Sequence, residues 1–149
     1  MEEGRTTVDL NGKFSFKIDA KGRMALPSKF RKLIQSADLV VTQDLHSECL
    51  YVFIGDEFNR WVERLFEDKF GGYHPANAEQ AHIRTLLKGR SSDVVLDSAG
   101  RIMISADQRA AAGIDKDVVI VGNTGYFEVW DAKRYESLEQ AIDLDTLFA

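Results

Sequence analysis

Asp19-Ala20-Lys21-Gly22-Arg23-Met24-Ala25-Leu26-Pro27-Ser28-Lys29-Phe30-Arg31 decides how the rest of the chain is read, because it is written twice. In Asp97-Ser98-Ala99-Gly100-Arg101-Ile102-Met103-Ile104-Ser105-Ala106-Asp107-Gln108-Arg109 the Asp, the Gly, both Arg and an aliphatic residue recur 78 positions on. The segments downstream repeat as well. The first copy continues into Asp38-Leu39-Val40-Val41 and Cys49-Leu50-Tyr51-Val52-Phe53, the second into Asp117-Val118-Val119-Ile120 and Tyr126-Phe127-Glu128-Val129-Trp130. The order is a turn, a short helix, then two apolar strands. An internal repeat sets the architecture. A copy of about 45 residues is near the size at which a lone core is marginal, so the copies are expected to pack on each other, within the chain or between chains.

Composition narrows the class. The 149 residues fit one domain, or two small halves sharing a core. With 44% hydrophobic and 29% charged residues, the chain reads as an ordinary soluble globular protein. Cys49 stands alone, which forbids an intrachain disulfide and fits a reducing compartment. The polar, acidic start does not resemble a secretory leader, and no apolar run reaches membrane-spanning length. A cytoplasmic protein is expected. The net charge of −5 speaks against a generic nucleic-acid binder, but the charge is segregated. Lys13, Lys17, Lys21, Arg23, Lys29, Arg31 and Lys32 are opposed over that stretch by Asp19 alone. Local charge sets the local field, so an acidic protein can still present one basic face to phosphates.

Residues 1–12 show no periodicity and are read as a loose arm or an edge strand. Phe14, Phe16 and Ile18 alternate with Ser15 and Lys17, as in a half-buried strand. Asp19 to Gly22 is turn chemistry: Asp accepts backbone hydrogen bonds within its own turn, and Gly takes positive φ without a steric cost. Residues 23–26 resume a strand, and Pro27 suits the first position of a helix reaching about Gln35. Strands are expected over 39–42 and 50–54. Asp56 is a candidate cap for a helix whose Phe58, Trp61, Val62, Leu65 and Phe66 form one apolar stripe, ended by Gly71-Gly72. A second helix from about 76 to 88 offers Ala78, Ile83, Leu86 and Leu87. These two helices connect the copies. Then come a strand over 91–96, the second turn, a capping box at Ser105 and Gln108, and a helix stop at Gly113. Strands 118–121 and 126–130 flank a tight loop at 122–125. A last helix from about 132 carries Tyr135, Leu138, Ala141 and Ile142. Beyond it Leu144, Leu147 and Phe148 make an apolar tail suited to docking on the body or on a neighbour.

A turn that presents Arg at a hairpin tip puts a guanidinium on a rigid corner. Its forked donors suit phosphate oxygens and the major-groove acceptors of guanine. Two such corners facing one way match a duplex. Asp19 and Asp97 are read as turn closers, with Gly22 and Gly100 shaping the backbone. Arg31 and Arg109 serve equally well as scaffold salt bridges or as contacts.

Asp-Ala-Lys-Gly-Arg followed by Leu-Pro-Ser-Lys-Phe-Arg, with Asp-Ser-Ala-Gly-Arg and the later Phe127-Glu128-Val129-Trp130-Asp131, resembles the MraZ family of bacterial transcriptional regulators. Each copy is similar to a SpoVT-AbrB swapped-hairpin module. The resemblance implies an α+β, mainly β fold in which two modules (13–57 and 91–134) form one pseudo-two-fold barrel. Residues 58–90 would be a helical connector and 135–149 a C-terminal helix and tail. It further implies a homo-oligomeric ring that binds repeated promoter boxes in double-stranded DNA, with nucleoid association. Regulation, usually repression, would fall on the division and cell-wall gene cluster and on the protein's own gene. The implied motif pairs are Asp19 with Arg23 and Asp97 with Arg101; Lys21, Lys13 and Lys29 complete the expected DNA-binding set. Ser105 stands in place of Pro27 and Ala99 in place of Lys21, so the second turn is expected to bind more weakly.

Two other classes find less support in the residues. Catalysis by His46 and Cys49 lacks a third, orienting group. Those two residues also supply only half of a structural zinc site, and His74 and His82 lack ligand spacing. Gly22 and Gly100 each stand alone, so no Gly-rich phosphate loop appears. No enzyme, metal or cofactor is expected. An AbrB-like antitoxin or scaffold acting through protein contacts shares the fold and differs in what the turns touch. Trp61, Phe66 and Phe70 would suit a partner stripe, although that spacing reads as core.

Overall fold

The structure is a computed structural model that describes residues 7–34 and 38–149. The first copy supplies β1 (Lys13–Lys17), β2 (Arg23–Ala25), α1 (Ser28–Leu33), β3 (Asp38–Gln43) and β4 (Leu50–Ile54). The connector is α2 (Glu57–Phe70) and α3 (Ala78–Gly89). The second copy supplies β5 (Ser92–Val95), β6 (Arg101–Met103), α4 (Ala106–Ala111), β7 (Asp117–Gly122) and β8 (Tyr126–Asp131). Helix α5 (Ala132–Ala141) and a 3₁₀ turn at Leu144–Leu147 complete the chain.

The copies are interleaved. All pairings are antiparallel in a six-stranded sheet ordered β1-β7-β8-β4-β3-β5, with a separate ribbon β2-β6. The first strand of each copy therefore pairs with the third strand of the other: Phe16 lies opposite Val118, and Val94 opposite Leu39. The ribbon takes one strand from each copy and spans the two sheet edges, since β1 reaches it through the first turn and β5 through the second. Eight strands thus surround one core as a two-module α+β fold.

Alternation decides what enters that core. Met24 and Ile102 point inward from the ribbon, Val118 and Ile120 from β7, and Leu50 and Val52 from β4; all are buried. Phe30 of α1 sits fully buried between Phe14 (ring centroids 5.2 Å) and Phe127 (5.8 Å), so a side chain of one copy packs on both. Truncating such a buried aromatic typically costs about 3–5 kcal/mol. A second cluster forms on the outer face, where Phe53 meets Phe58, Val62 and Phe66 of α2 and Leu87 of α3. Trp61 joins it at 5.0 Å from Phe53, so Trp61 and Phe66 are core, as their spacing suggests.

Local expectations differ from the structure at several points. Residues 7–12 are anchored: Leu10 is buried, its N–H donates to Asn123 O at 3.0 Å, and Asp9 bridges Thr124. Pro27 precedes α1 as its cap rather than opening it. The expected reach to Gln35 lies outside the described residues. Asp56 precedes α2 but makes no side-chain cap bond, because its own backbone is already helical (φ −79°, ψ 0°). The capping box is half made. Ser105 Oγ accepts from Gln108 N at 3.1 Å, but Gln108 Nε2 turns inward to Val41 O (3.0 Å) and Ser92 Oγ (3.3 Å), tying α4 to the other copy.

Candidate nucleic-acid interface

Each repeated turn is built by its Asp. In the first, Asp19 Oδ1 accepts from Lys21 N and Arg23 N, both at 2.9 Å, and Oδ2 takes Arg23 Nε at 2.7 Å. In the second, Asp97 Oδ1 accepts from Ala99 N and Arg101 N at 2.9 Å, and Oδ2 takes Arg101 Nε at 3.1 Å. Backbone N–H donation from Arg23, followed by the Arg23 guanidinium and Lys21 N–H, holds the Asp19 carboxyl below its ordinary range. Arg101 and Ala99 do the same for Asp97. The Asp therefore has two jobs: it closes the turn and aims the Arg. It occupies only Nε. Among the described residues the terminal Nη groups of Arg23 and Arg101 have no hydrogen-bond partner, which leaves the outer fork of each guanidinium available.

The ribbon fixes how the two corners relate. Its register sets Arg23 opposite Met103 and Ala25 opposite Arg101. With Met24 and Ile102 facing the core, period-2 alternation sends Arg23, Ala25, Arg101 and Met103 to the outer face together. Arg23 and Arg101 are diagonal neighbours, a relation that spans about 7–8 Å in an antiparallel pair. Both are part-exposed, at 36% and 39% of their side chains. They share a face and are not buried.

Each copy braces the other's turn. Gly22 (φ +89°) offers its carbonyl to Ile104 N at 2.8 Å, and Gly100 (φ +75°) offers its own to Leu26 N at 3.0 Å. A side chain at Gly22 would strike the Ile104 carbonyl, with the Arg109 guanidinium close by, while one at Gly100 would strike the side chain of Arg31. Arg31 and Arg109 thus lie over the opposite copy's turn.

The other expected contacts do not all gather here. Lys21 is exposed at the first tip. Lys13 is at the far end of β1, roughly 20 Å along an extended strand from Asp19. There it pairs with Glu139 at 2.6 Å and lies over the Tyr135 ring. Lys29 points to the same end, 3.5 Å from Asn11 O. Lys17 pairs with Asp117 at 3.0 Å. One residue was missed by sequence reasoning: Met103, 54% exposed on the arginine face. Its signal was available, because the repeat sets it against the much smaller Ala25.

The Cys–His pair is not arranged for nucleophilic chemistry. Cys49 is buried and burial pushes its thiol well up, with Glu128 adding to the effect, whereas reactive thiols are held down. His46 is exposed on the loop. No described helix is long and apolar enough to cross a membrane.

Comparison with known proteins agrees with this geometry. A family model described as "MraZ protein, putative antitoxin-like" matches residues 10–73 and 89–148, spanning both turns. A protein of Ralstonia pickettii named transcriptional regulator MraZ is 38% identical over 133 residues, covering 87% of each chain. Proteins of the same name from Burkholderia mallei and Burkholderia thailandensis are 39% identical over 132 residues, again covering 87% of each. With its doubled turn and interleaved copies matched across most of its length, this chain belongs to the MraZ family, whose members are named as transcription regulators and not as enzymes.

Proposed function

We propose that this chain regulates transcription by binding DNA sequence-specifically through the outer face of the β2-β6 ribbon. The observation that supports this reading is the pair of outward guanidiniums on one diagonal, each clamped at Nε by its own turn Asp. A clamped Arg has lost most of its rotamer freedom before it meets a ligand, which favours forked contacts with phosphate or guanine. Arg23, Arg101 and Lys21 form the contact set; Asp19, Asp97, Gly22 and Gly100 shape it. Lys13 and Lys29 are less well placed, being at the other end of β1.

A single ribbon offers few contacts, so the reading includes a ring-shaped homo-oligomer that sets several ribbons on repeated promoter boxes, where effective concentration multiplies weak sites. The regulated genes would be its own gene and the division and cell-wall cluster, under repression, with the protein at the nucleoid. The test is a salt titration of binding to a duplex from the chain's own promoter, for wild type, Arg23→Ala and Arg101→Ala. Each forked contact is worth about 1–3 kcal/mol, so each variant should bind roughly 5- to 150-fold more weakly. Binding by Arg23→Ala equal to wild type would remove the ribbon from the site. No binding by wild type would favour the antitoxin-like or scaffold reading.

A further inference from the structure

We propose that Met103 is a specificity-determining residue, reading the C5-methyl group of a thymine beside the base that Arg23 contacts. This rests on DNA binding through the ribbon, proposed above, and names a base that the ribbon selects. The outer face of the ribbon holds its side chains in two rows. Arg23 and Met103 stand opposite each other at the end of the first turn, and Arg101 and Ala25 at the end of the second. The rows are about 7 Å apart along the strands, close to two base-pair rises of a duplex. The repeat makes this array nearly two-fold symmetric, with Arg23 and Arg101 as equivalents. Two positions break the symmetry. Met103 is the equivalent of Ala25, and Lys21 of Ala99, so both larger side chains fall at the first-turn end. One row therefore has a long apolar arm beside its guanidinium, and the other has none.

Packing does not account for Met103. The core beneath the ribbon is filled by the buried Met24 and Ile102, whereas Met103 is 54% exposed. A lone exposed apolar residue needs no explanation in itself; its position does. Directly opposed residues of an antiparallel pair have Cβ atoms about 4.5–5.5 Å apart, so Met103 and Arg23 reach the same base pair or adjacent ones. Asp19 takes Arg23 Nε at 2.7 Å, which draws that guanidinium toward its own turn instead of across Met103. In the major groove the C5-methyl of thymine is the apolar feature a side chain can find, and cytosine lacks it. A thioether suits that methyl. It is polarizable and unbranched, has no donor and is only a weak acceptor, so it gains from apolar contact and leaves no strong polar group unpaired. Ala25, in the equivalent place, is too short to reach past an extended arginine.

The test compares thymine with deoxyuridine, which differ by that methyl alone. For each base pair of the box footprinted on the chain's own promoter, one duplex carries thymine and its counterpart deoxyuridine, and fluorescence anisotropy measures binding by the full chain. Wild type should show a position at which deoxyuridine binds about fourfold more weakly, the worth of one buried methyl. At that position Met103→Ala should bind both duplexes alike, as wild type binds the deoxyuridine one, with an unchanged salt slope because no phosphate contact is lost. The swapped protein, Ala25→Met with Met103→Ala, should move the sensitive position across the pseudo-two-fold axis to the base beside the one Arg101 contacts. A methionine with only a structural role would not move it. Far-UV circular dichroism checks that each variant folds. A sensitive position that persists in Met103→Ala, or that stays in place in the swapped protein, would overturn the assignment. Wild type that binds the box, and loses it in Arg23→Ala, but shows no methyl-sensitive position overturns this inference alone. Wild type without specific binding overturns the ribbon reading and this inference with it.

Discussion

Gly22→Ala and Gly100→Ala look equivalent in sequence but should differ in cost, because different atoms face the two glycines. Both sit at positive φ, +89° and +75°, where an L-residue costs about 1–2 kcal/mol. At Gly100 the added methyl meets the side chain of Arg31, which is exposed and can swing aside. At Gly22 it meets the carbonyl of Ile104, backbone that cannot swing and whose own N–H bonds to Gly22 O at 2.8 Å. Moving that strand end sacrifices a hydrogen bond worth about 0.5–1.5 kcal/mol net, and it loosens the ribbon. Gly100→Ala should therefore cost about 1–2 kcal/mol and Gly22→Ala about 1.5–3.5 kcal/mol. For a chain of this size each kcal/mol lowers Tm by about 2–4 °C. The drops should be roughly 2–8 °C for Gly100→Ala and about 3–14 °C for Gly22→Ala. Thermal unfolding at one fixed protein concentration reads this directly, since assembly would otherwise shift Tm by mass action. Equal drops, or a larger one at Gly100, would refute the claim that the fixed Ile104 carbonyl distinguishes the two turns.

Other outcomes are as definite. Met103→Ala should leave overall affinity nearly unchanged but cost about fourfold at one thymine, the worth of roughly one buried methyl; a uniform loss over all sequences would exclude a base contact. Asp19 and Asp97 have carboxyls held below their ordinary value, so the stability they contribute is present above that value and is lost as pH falls through the lower folded one. The doubly substituted Asp19→Asn, Asp97→Asn protein should then show a shallower fall in Tm between about pH 5 and 2 than wild type, and an equal slope would show that the carboxylates contribute nothing. Ser105→Ala removes the acceptor for Gln108 N and should cost about 1 kcal/mol by chemical denaturation. Cys49 should resist alkylation until the protein is unfolded, and fast labelling of native protein would contradict its burial.

The doubled Asp-x-x-Gly-Arg carried most of the fold, because a turn with an Asp acceptor and a positive-φ Gly is specified within five residues. Strand alternation at Phe14 and Phe16 and the stripe Phe58, Val62, Phe66 were equally local and equally legible. What could not be read was pairing. Nothing in Gln108 itself says that its amide will reach Val41 O rather than complete a capping box; that choice is set by a strand from the other copy. The pairing of Lys13 was hidden for the same reason, since its partner Glu139 lies 126 positions away. The shared face of Arg23 and Arg101 depended on the β2-β6 register, which no single turn encodes.

That register also bears on how an acidic chain could hold DNA. Of the basic run between Lys13 and Lys32, Lys13 and Lys17 are paired with Glu139 and Asp117, and Lys29 reaches Asn11 O at the end of β1 away from the turn. The ribbon face keeps Arg23, Arg101 and Lys21. Three phosphate neutralisations give a slope of log K against log salt of only about −3, too few contacts for tight binding at physiological salt. Tight binding through this face would need it presented more than once, as the proposed homo-oligomer would do. A variant confined to single chains should bind a promoter duplex weakly with a slope near −3, and an assembly with two ribbons engaged should approach −6 on a duplex with two boxes. If the single-chain variant matched the assembly in both affinity and slope, the oligomer would be irrelevant to DNA binding.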